Sequence, residues 1–314
     1  MTTVFIHNPA FLGHETPFGH PECAERLLAI EDALAADTFK TLLRQASIKG
    51  CLKDILRVHP RSYVKHLESL SPKQGVTYKG LTYIDADTVM SQGSLTAAYH
   101  GAGAACQGVD AVMKGQAKNA FIASRPPGHH AETETAMGFC LFNNAAVAAR
   151  YAQAKYGAER VAIVDFDVHH GNGTQEIFWN DASVLYCSSH QMPLFPGSGA
   201  KSETGEYGTI VNTPLYHGDG FEQFRDAYEH IILPRVAAFR PDLIIISAGF
   251  DAHMYDPLGG LNLDESDFAW VTEEIMNIAA LNCKGRIISV LEGGYNLQAL
   301  GRSVAAHVGV LQAA

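Results

Sequence analysis

Residues 161–173 read VAIVDFDVHHGNG, and the change of character halfway along decides the fold. Val161 to Val164 is a run of β-branched and small apolar side chains, the composition of a strand covered on both faces. The chain then turns abruptly to Asp165, Asp167, His169 and His170, followed by Gly171 and Gly173. Side chains on a strand repeat direction every two residues, so Asp165, Asp167 and His169 project to one side if extension continues that far. Two carboxylates and an imidazole converging at a strand end suit a divalent cation, because each supplies a hard or borderline ligand.

Working outward, apolar strand runs alternate with helical patterns along the whole chain. Short strands are expected at 4–6, 55–58, 120–123, 161–165, 184–187, 210–211, 243–247 and 287–291. Helices are expected at 21–36, 61–70, 94–115, 142–156, 173–178, 221–239, 265–281 and from 296 onward. Gly- and Pro-rich loops fall at 10–22 and 193–208, and Asp85-Ala86-Asp87 sits in another. About eight strands separated by helices predict a mainly parallel sheet with helices on both faces, a three-layer α/β/α domain. No linker or repeat divides residues 1–314, so one catalytic domain is expected.

With 47% hydrophobic and 18% charged residues, the 314-residue chain has the balance of a globular protein with a large core. A formal net charge of −10 argues against a phosphate-backbone binder and suits a cationic substrate. No stretch is long and apolar enough to cross a membrane, and the N-terminus lacks a signal-peptide pattern, so a cytoplasmic location is expected. The six cysteines are scattered without a C-x-x-C pair, which suggests neither a zinc ribbon nor a disulfide framework.

In parallel sheets ligands bind beyond the carboxyl ends of the strands. Four predicted strand ends carry unusual polar clusters: Gly128-His129-His130, Asp165 to His170, Gly249-Phe250-Asp251, and Glu292-Gly293-Gly294-Tyr295. A parallel sheet brings all four to one edge. Asp167, His169 and Asp251 then offer three protein ligands with a position left for water, as a catalytic zinc site requires. His129 and His130 are candidate general acid–base groups, with Asp165 and Asn172 as partners that fix their tautomers. Tyr295, after two glycines, is placed to hydrogen-bond a developing oxyanion.

RPPGHHA, GFCLFNN, DFDVHHGNGTQEIF, LFPGSG, SAGFDAH and EGGYN occur in this order between about residues 120 and 297. Together they resemble the motifs of the zinc-dependent histone deacetylase family, which includes acetylpolyamine amidohydrolases and shares its fold with arginases. The resemblance implies a central eight-stranded parallel sheet, zinc held by Asp167, His169 and Asp251, and His130 as general base beside His129. It also implies Tyr295 as the residue polarising the carbonyl. Asn172 and the Pro-Pro-Gly before the histidines side with the class II branch, and a neutral Asn172 cannot raise the basicity of His130 as a carboxylate would. Gly138, Phe139 and Phe195 resemble the walls of a narrow tunnel for an acyl-lysine chain. Asp165, Asp167, His169, Ser188 and Ser189 match a structural potassium site.

Polyamine-preferring members carry a glutamate where this chain has Leu258. The expected activity is therefore removal of acetyl or related acyl groups from lysine in peptides or proteins. Hydrolysis of small acylated amines such as acetylpolyamines is the alternative. A silent acyl-lysine binding module is a rival from another class, opposed by the intact Tyr295, His130 and ligand positions. Motifs of other hydrolases are missing: there is no G-x-S-x-G and no H-E-x-x-H. An arginase-like pair of manganese ions would need aspartates where Gly249 and Phe250 stand.

Overall fold

The computed structural model describes residues 2–72 and 80–313. Its strands are β1 (Thr3–His7), β2 (Leu43–Ala46), β3 (Leu81–Tyr83), β4 (Val89–Ser91), β5 (Asn119–Ile122), β6 (Val161–Asp165), β7 (Val184–Gln191), β8 (Ile210–Leu215), β9 (Leu243–Ala248) and β10 (Ile287–Leu291). Eight of them form one sheet in the order β2-β1-β5-β10-β9-β6-β7-β8, and every pairing in it is parallel. The expected architecture is the observed one. Among the described residues no helix is long and apolar enough to cross a membrane.

The unbroken apolar character of the inner strands follows from cover on both faces. All five residues of β6 and all five of β10 are buried. Alternation along β5 shows the two layers. Ala120 and Ile122 face Gly108 of the Ala/Gly-rich helix Ser94–Met113, where a side chain would meet Ile122 at 3.1 Å. Phe121 turns the other way, 5.7 Å from the ring of His307 in the C-terminal helix Leu297–Ala313. That helix packs with Glu25–Ala33 and Glu265–Asn282 to form the second layer.

The structure corrects or refines five local expectations. Residues 55–58 are not a strand: Leu52–Ile55 is a short helix, and Ile55 and Val58 are buried on one side of a turn whose Asp54 and Arg57 pair with each other. Three-residue spacing, not alternation, made that apolar cluster. The strand beside β1 is instead β2, LRQA, a largely exposed edge with no apolar signature. The loop around Asp85 to Asp87 is the turn of the antiparallel hairpin β3–β4. Finally, β7 continues through Ser188, Ser189 and His190, and the 221–239 helix contains a π turn at Tyr228–Ile232.

Candidate active site

The strands β5, β10, β9 and β6 are neighbours in that order, so the four polar clusters that follow them line one edge of the sheet. Register brings Asp165 level with Ser247 and with Ser188, and Ala248 level with Leu291. The segment after β6 does not stay extended. Asp165 Oδ1 accepts from Asp167 N at 3.1 Å, and Asp167 Oδ1 accepts from His169 N at 2.9 Å. Each carboxylate thus captures the amide two residues ahead, as Asx turns do, and the curl still delivers both side chains and His169 to one place.

Asp167, His169 and Asp251 are all buried, and one donor atom from each lies within 4.8 Å of the others. His169 Nδ1 is 3.1 Å from Asp167 Oδ1 and 3.1 Å from Asp251 Oδ2. Backbone amides fix the two carboxylates: Gly293 N donates to Asp167 Oδ2 at 2.8 Å, and Val168 N donates to Asp251 Oδ1 at 2.8 Å. Burial and the neighbouring Asp167 charge push Asp251 up to about 7. Burial opposes a charged His169, yet Asp167 and Asp251 raise it to about 10. So much buried negative charge, with an imidazole among it, is a donor set that fits a divalent cation.

The histidine pair is split by its surroundings. His129 Nδ1 lies 3.0 Å from Asp165 Oδ2, which also accepts from the Tyr186 hydroxyl at 3.1 Å. Burial alone would lower His129, but Asp167 and Asp165 raise it to about 10. His130, with its ring 4.0 Å from that of His129, is driven well below the ordinary histidine range by burial and by the charges of His129 and His169. Its Nδ1 meets Asn172 Oδ1 at 2.8 Å. One imidazole is thereby kept charged and the other neutral, the separation that distinguishes an acid from a base.

A cavity of about 240 Å³ opens onto His130 and His169. Phe139, Phe195 and Leu258 are its apolar walls, Gly138 lines it, and Tyr295 closes one side. Phe195 stands edge-on to His130 at 5.1 Å, and Phe139 edge-on to Tyr295 at 5.9 Å. Asp256 Oδ2 accepts from the backbone N–H of Tyr295 at 2.7 Å, while the guanidinium of Arg26 lies 4.9 Å from the centre of its ring. Burial holds the Tyr295 hydroxyl well above its usual pKa and hence protonated.

All four predicted clusters and the tunnel residues meet here. The residues matched to potassium divide: Asp165 and Ser188 are register partners, but Ser188 Oγ bonds His190 at 2.9 Å and Ser189 Oγ bonds Tyr228 at 3.2 Å. Asp87, from the β3–β4 turn, also lines the cavity. The sequence shows only a loop there, since nothing local signals that a distant hairpin reaches the mouth. Glu292 stands in a predicted cluster without a role of its own. Its Oε2 accepts from Gly128 N at 2.7 Å and His129 N at 3.1 Å, so it pins the histidine loop. Arg26, Glu22 and Arg125, buried together behind Tyr295, are given no role by the sequence, because they come from a helix, the bend before it and the segment after β5, and only the fold brings them together.

Comparison with known proteins agrees with this geometry. The histone deacetylase domain model matches residues 20–311. The chain belongs to the histone deacetylase family. The match takes in the N-terminal third as well as the motif-bearing region. A probable deacetylase of Archaeoglobus fulgidus is 40% identical, over 95% of this chain and 82% of that one. A histone deacetylase-like amidohydrolase of Pseudomonas aeruginosa is 39% identical, over 93% and 75%. The solved HDA15 HD domain superposes with a TM-score of 0.92 at 38% identity, covering 99% of this chain and 88% of that one. This histone deacetylase family member is a hydrolytic deacetylase.

Proposed function

We propose that the enzyme removes acetyl or related acyl groups from the lysine side chains of peptides or proteins. One observation carries the reading: a narrow cavity with walls of Phe139, Phe195 and Leu258 ends on His130, His169 and Tyr295. Apolar walls fit the methylenes of a lysine stem, and the polar floor fits an amide. A divalent ion such as zinc, held by Asp167, His169 and Asp251, would polarise the acyl carbonyl and acidify a water. Neutral His130 takes the proton of the attacking water at Nε2. The Tyr295 hydroxyl donates to the carbonyl oxygen as charge develops on it. The amine leaves after receiving a proton from the histidine pair. A potassium ion near Asp165, Asp167, His169, Ser188 and Ser189 belongs to the same reading, supported by the alignment of Asp165 with Ser188.

Asp87 favours a second reading. A carboxylate at the cavity mouth accepts either the amide N–H groups of a peptide or the far ammonium of an acylated diamine. The test is turnover of an acetyl-lysine peptide beside N-acetylputrescine, after chelation and after zinc is restored. Zinc-dependent turnover of the peptide supports the proposal. Turnover of acetylputrescine alone moves the substrate to small amines, with Asp87→Asn then raising its KM. Silence on both, with metal bound, rejects catalysis and favours a binding module.

A further inference from the structure

The deacetylation reading assigns proton transfer to His130, whose partner Asn172 is a neutral amide. His129 has no such difficulty, because Asp165 is a carboxylate and only accepts. An amide presents an acceptor from one edge and a donor from the other, so Asn172 can select either tautomer of His130 depending on which way it faces. Something must choose its orientation.

That residue is Glu132, two positions beyond His130, on a turn closed by Glu132 N donating to Thr135 O at 3.0 Å. Glu132 Oε1 accepts from Asn172 Nδ2 at 2.8 Å, and Met137 Sδ accepts from the same nitrogen at 3.3 Å. A carboxylate has no proton to give, so the NH₂ edge of Asn172 must face Glu132 and its Oδ1 must face His130. The Asn172 oxygen in turn only accepts, so His130 carries its proton on Nδ1. The lone pair then sits on Nε2, the ring nitrogen on the cavity side. Glu132 also lines a surface depression of about 400 Å³ shared with Glu134 and Glu176.

We propose that Glu132 is a positioning residue that acts through Asn172, setting the amide orientation that leaves His130 Nε2 unprotonated toward the substrate. The inference rests on the deacetylation reading of the site. It gives this chain a two-residue relay in place of a single carboxylate behind the second histidine.

A reciprocal exchange tests it, with kcat and KM measured on the zinc-loaded enzyme and an acetyl-lysine peptide. Glu132→Gln can present either edge to Asn172, so kcat falls about tenfold or more while KM stays within about twofold, a part of what general-base catalysis contributes. Asn172→Asp alone sets two carboxylates against each other and also lowers kcat. Combining Glu132→Gln with Asn172→Asp restores the order of donors and acceptors: the introduced amide N–H donates to the introduced carboxylate, which accepts from His130. The double variant recovers to within about threefold of the wild type, within the span that general-base catalysis covers. An unchanged kcat in Glu132→Gln, or a double variant no better than that single one, overturns the proposal. Nitrogen-15 spectra of the histidine rings read the tautomer without turnover: a Nδ1-protonated His130 in the wild type, lost in Glu132→Gln, supports the inference. A wild type inactive on acylated lysine would sink the deacetylation reading alone, and a Nε2-protonated His130 would sink this one.

Discussion

A methyl group placed on Gly138 would stand 2.4 Å from Cδ2 of His130, closer than real side-chain contacts come. Gly138 also has φ +55, and Phe139, which follows it into the tunnel wall, has φ 68. The left-handed backbone here therefore sets both the aromatic wall and the seat of His130.

Gly138→Ala should accordingly lower kcat/KM by about 100-fold through displacement of His130, and cost about 1–3 kcal/mol of stability. Gly157→Ala is the control. It has φ +66 with nothing within 4 Å of a new methyl, so it should lose about 1 kcal/mol and no activity. Equal activity in the two variants, measured on one peptide, would refute the contact argument.

Tyr295→Phe removes one hydroxyl and keeps the ring between Phe139 and Arg26. Loss of a single donor to a developing oxyanion typically costs about 10²–10³ in kcat. KM should change little, and bound zinc should stay at the wild-type level. A rise in KM without a fall in kcat would show that the hydroxyl binds substrate without favouring the transition state.

The contributions of His307 and His59 to stability should fall as the solution is acidified below neutrality, and their burial as neutral rings gives the sign. Burial lowers His307 to about 3 and His59 to about 4. Both are satisfied as neutral rings: His307 between Thr272 and Ser289, His59 between Thr133 O and Asn143 N. Between these values and the unfolded value of about 6.5, the unfolded chain binds more protons, so stability drops as pH falls. Each should lose about 1.3 kcal/mol between about pH 7 and pH 5.5. His307→Asn should remove its share of that slope in urea titrations at the two pH values. An unaltered slope would contradict the assignment.

Glu22 is the one carboxylate among three buried partners. Arg125 donates to it at 2.6 and 2.7 Å, Arg26 at 3.2 Å, and His14 Nε2 lies 3.2 Å away. Burial opposes its ionisation, yet Arg125 and His14 hold its carboxyl well below the usual range. Glu22→Gln leaves two buried guanidinium groups short of charge and should cost about 3–5 kcal/mol. Because Arg26 also donates to the carbonyls of Gly294 and Glu292, the loss should loosen the Tyr295 segment. Lower kcat in the folded variant would register that; a stability change under about 1 kcal/mol would show that the network relaxes.

The sheet and its chemistry were legible because buried parallel strands are written as apolar runs, and each run that ends in charge marks a site. Val161 to Asp165 and Ile287 to Leu291 fall where the composition puts them. The failures have physical causes. The edge strand LRQA at β2 is mostly exposed and carries no apolar pattern, while Ile55 and Val58 imitate one within a helical turn. Residue identity marked Asp167, His169 and Asp251 as ligand candidates, but Asp87 and Glu132 depend on where a hairpin and a turn come to rest. No local pattern states that.

Each polar cluster leaves its own strand separately, on neighbouring β5, β10, β9 and β6; Phe139 and Leu258 ride on two of those same segments, whereas Asp87 and Phe195 arrive on the β3–β4 turn and on the loop after β7. Part of the cavity rim is thus carried by pieces of the chain separate from the floor. A hairpin or loop at the rim can be exchanged, lengthened or recharged while the strands hold the reacting groups still. New substrates for this scaffold should be sought by grafting rims, not by rebuilding the floor.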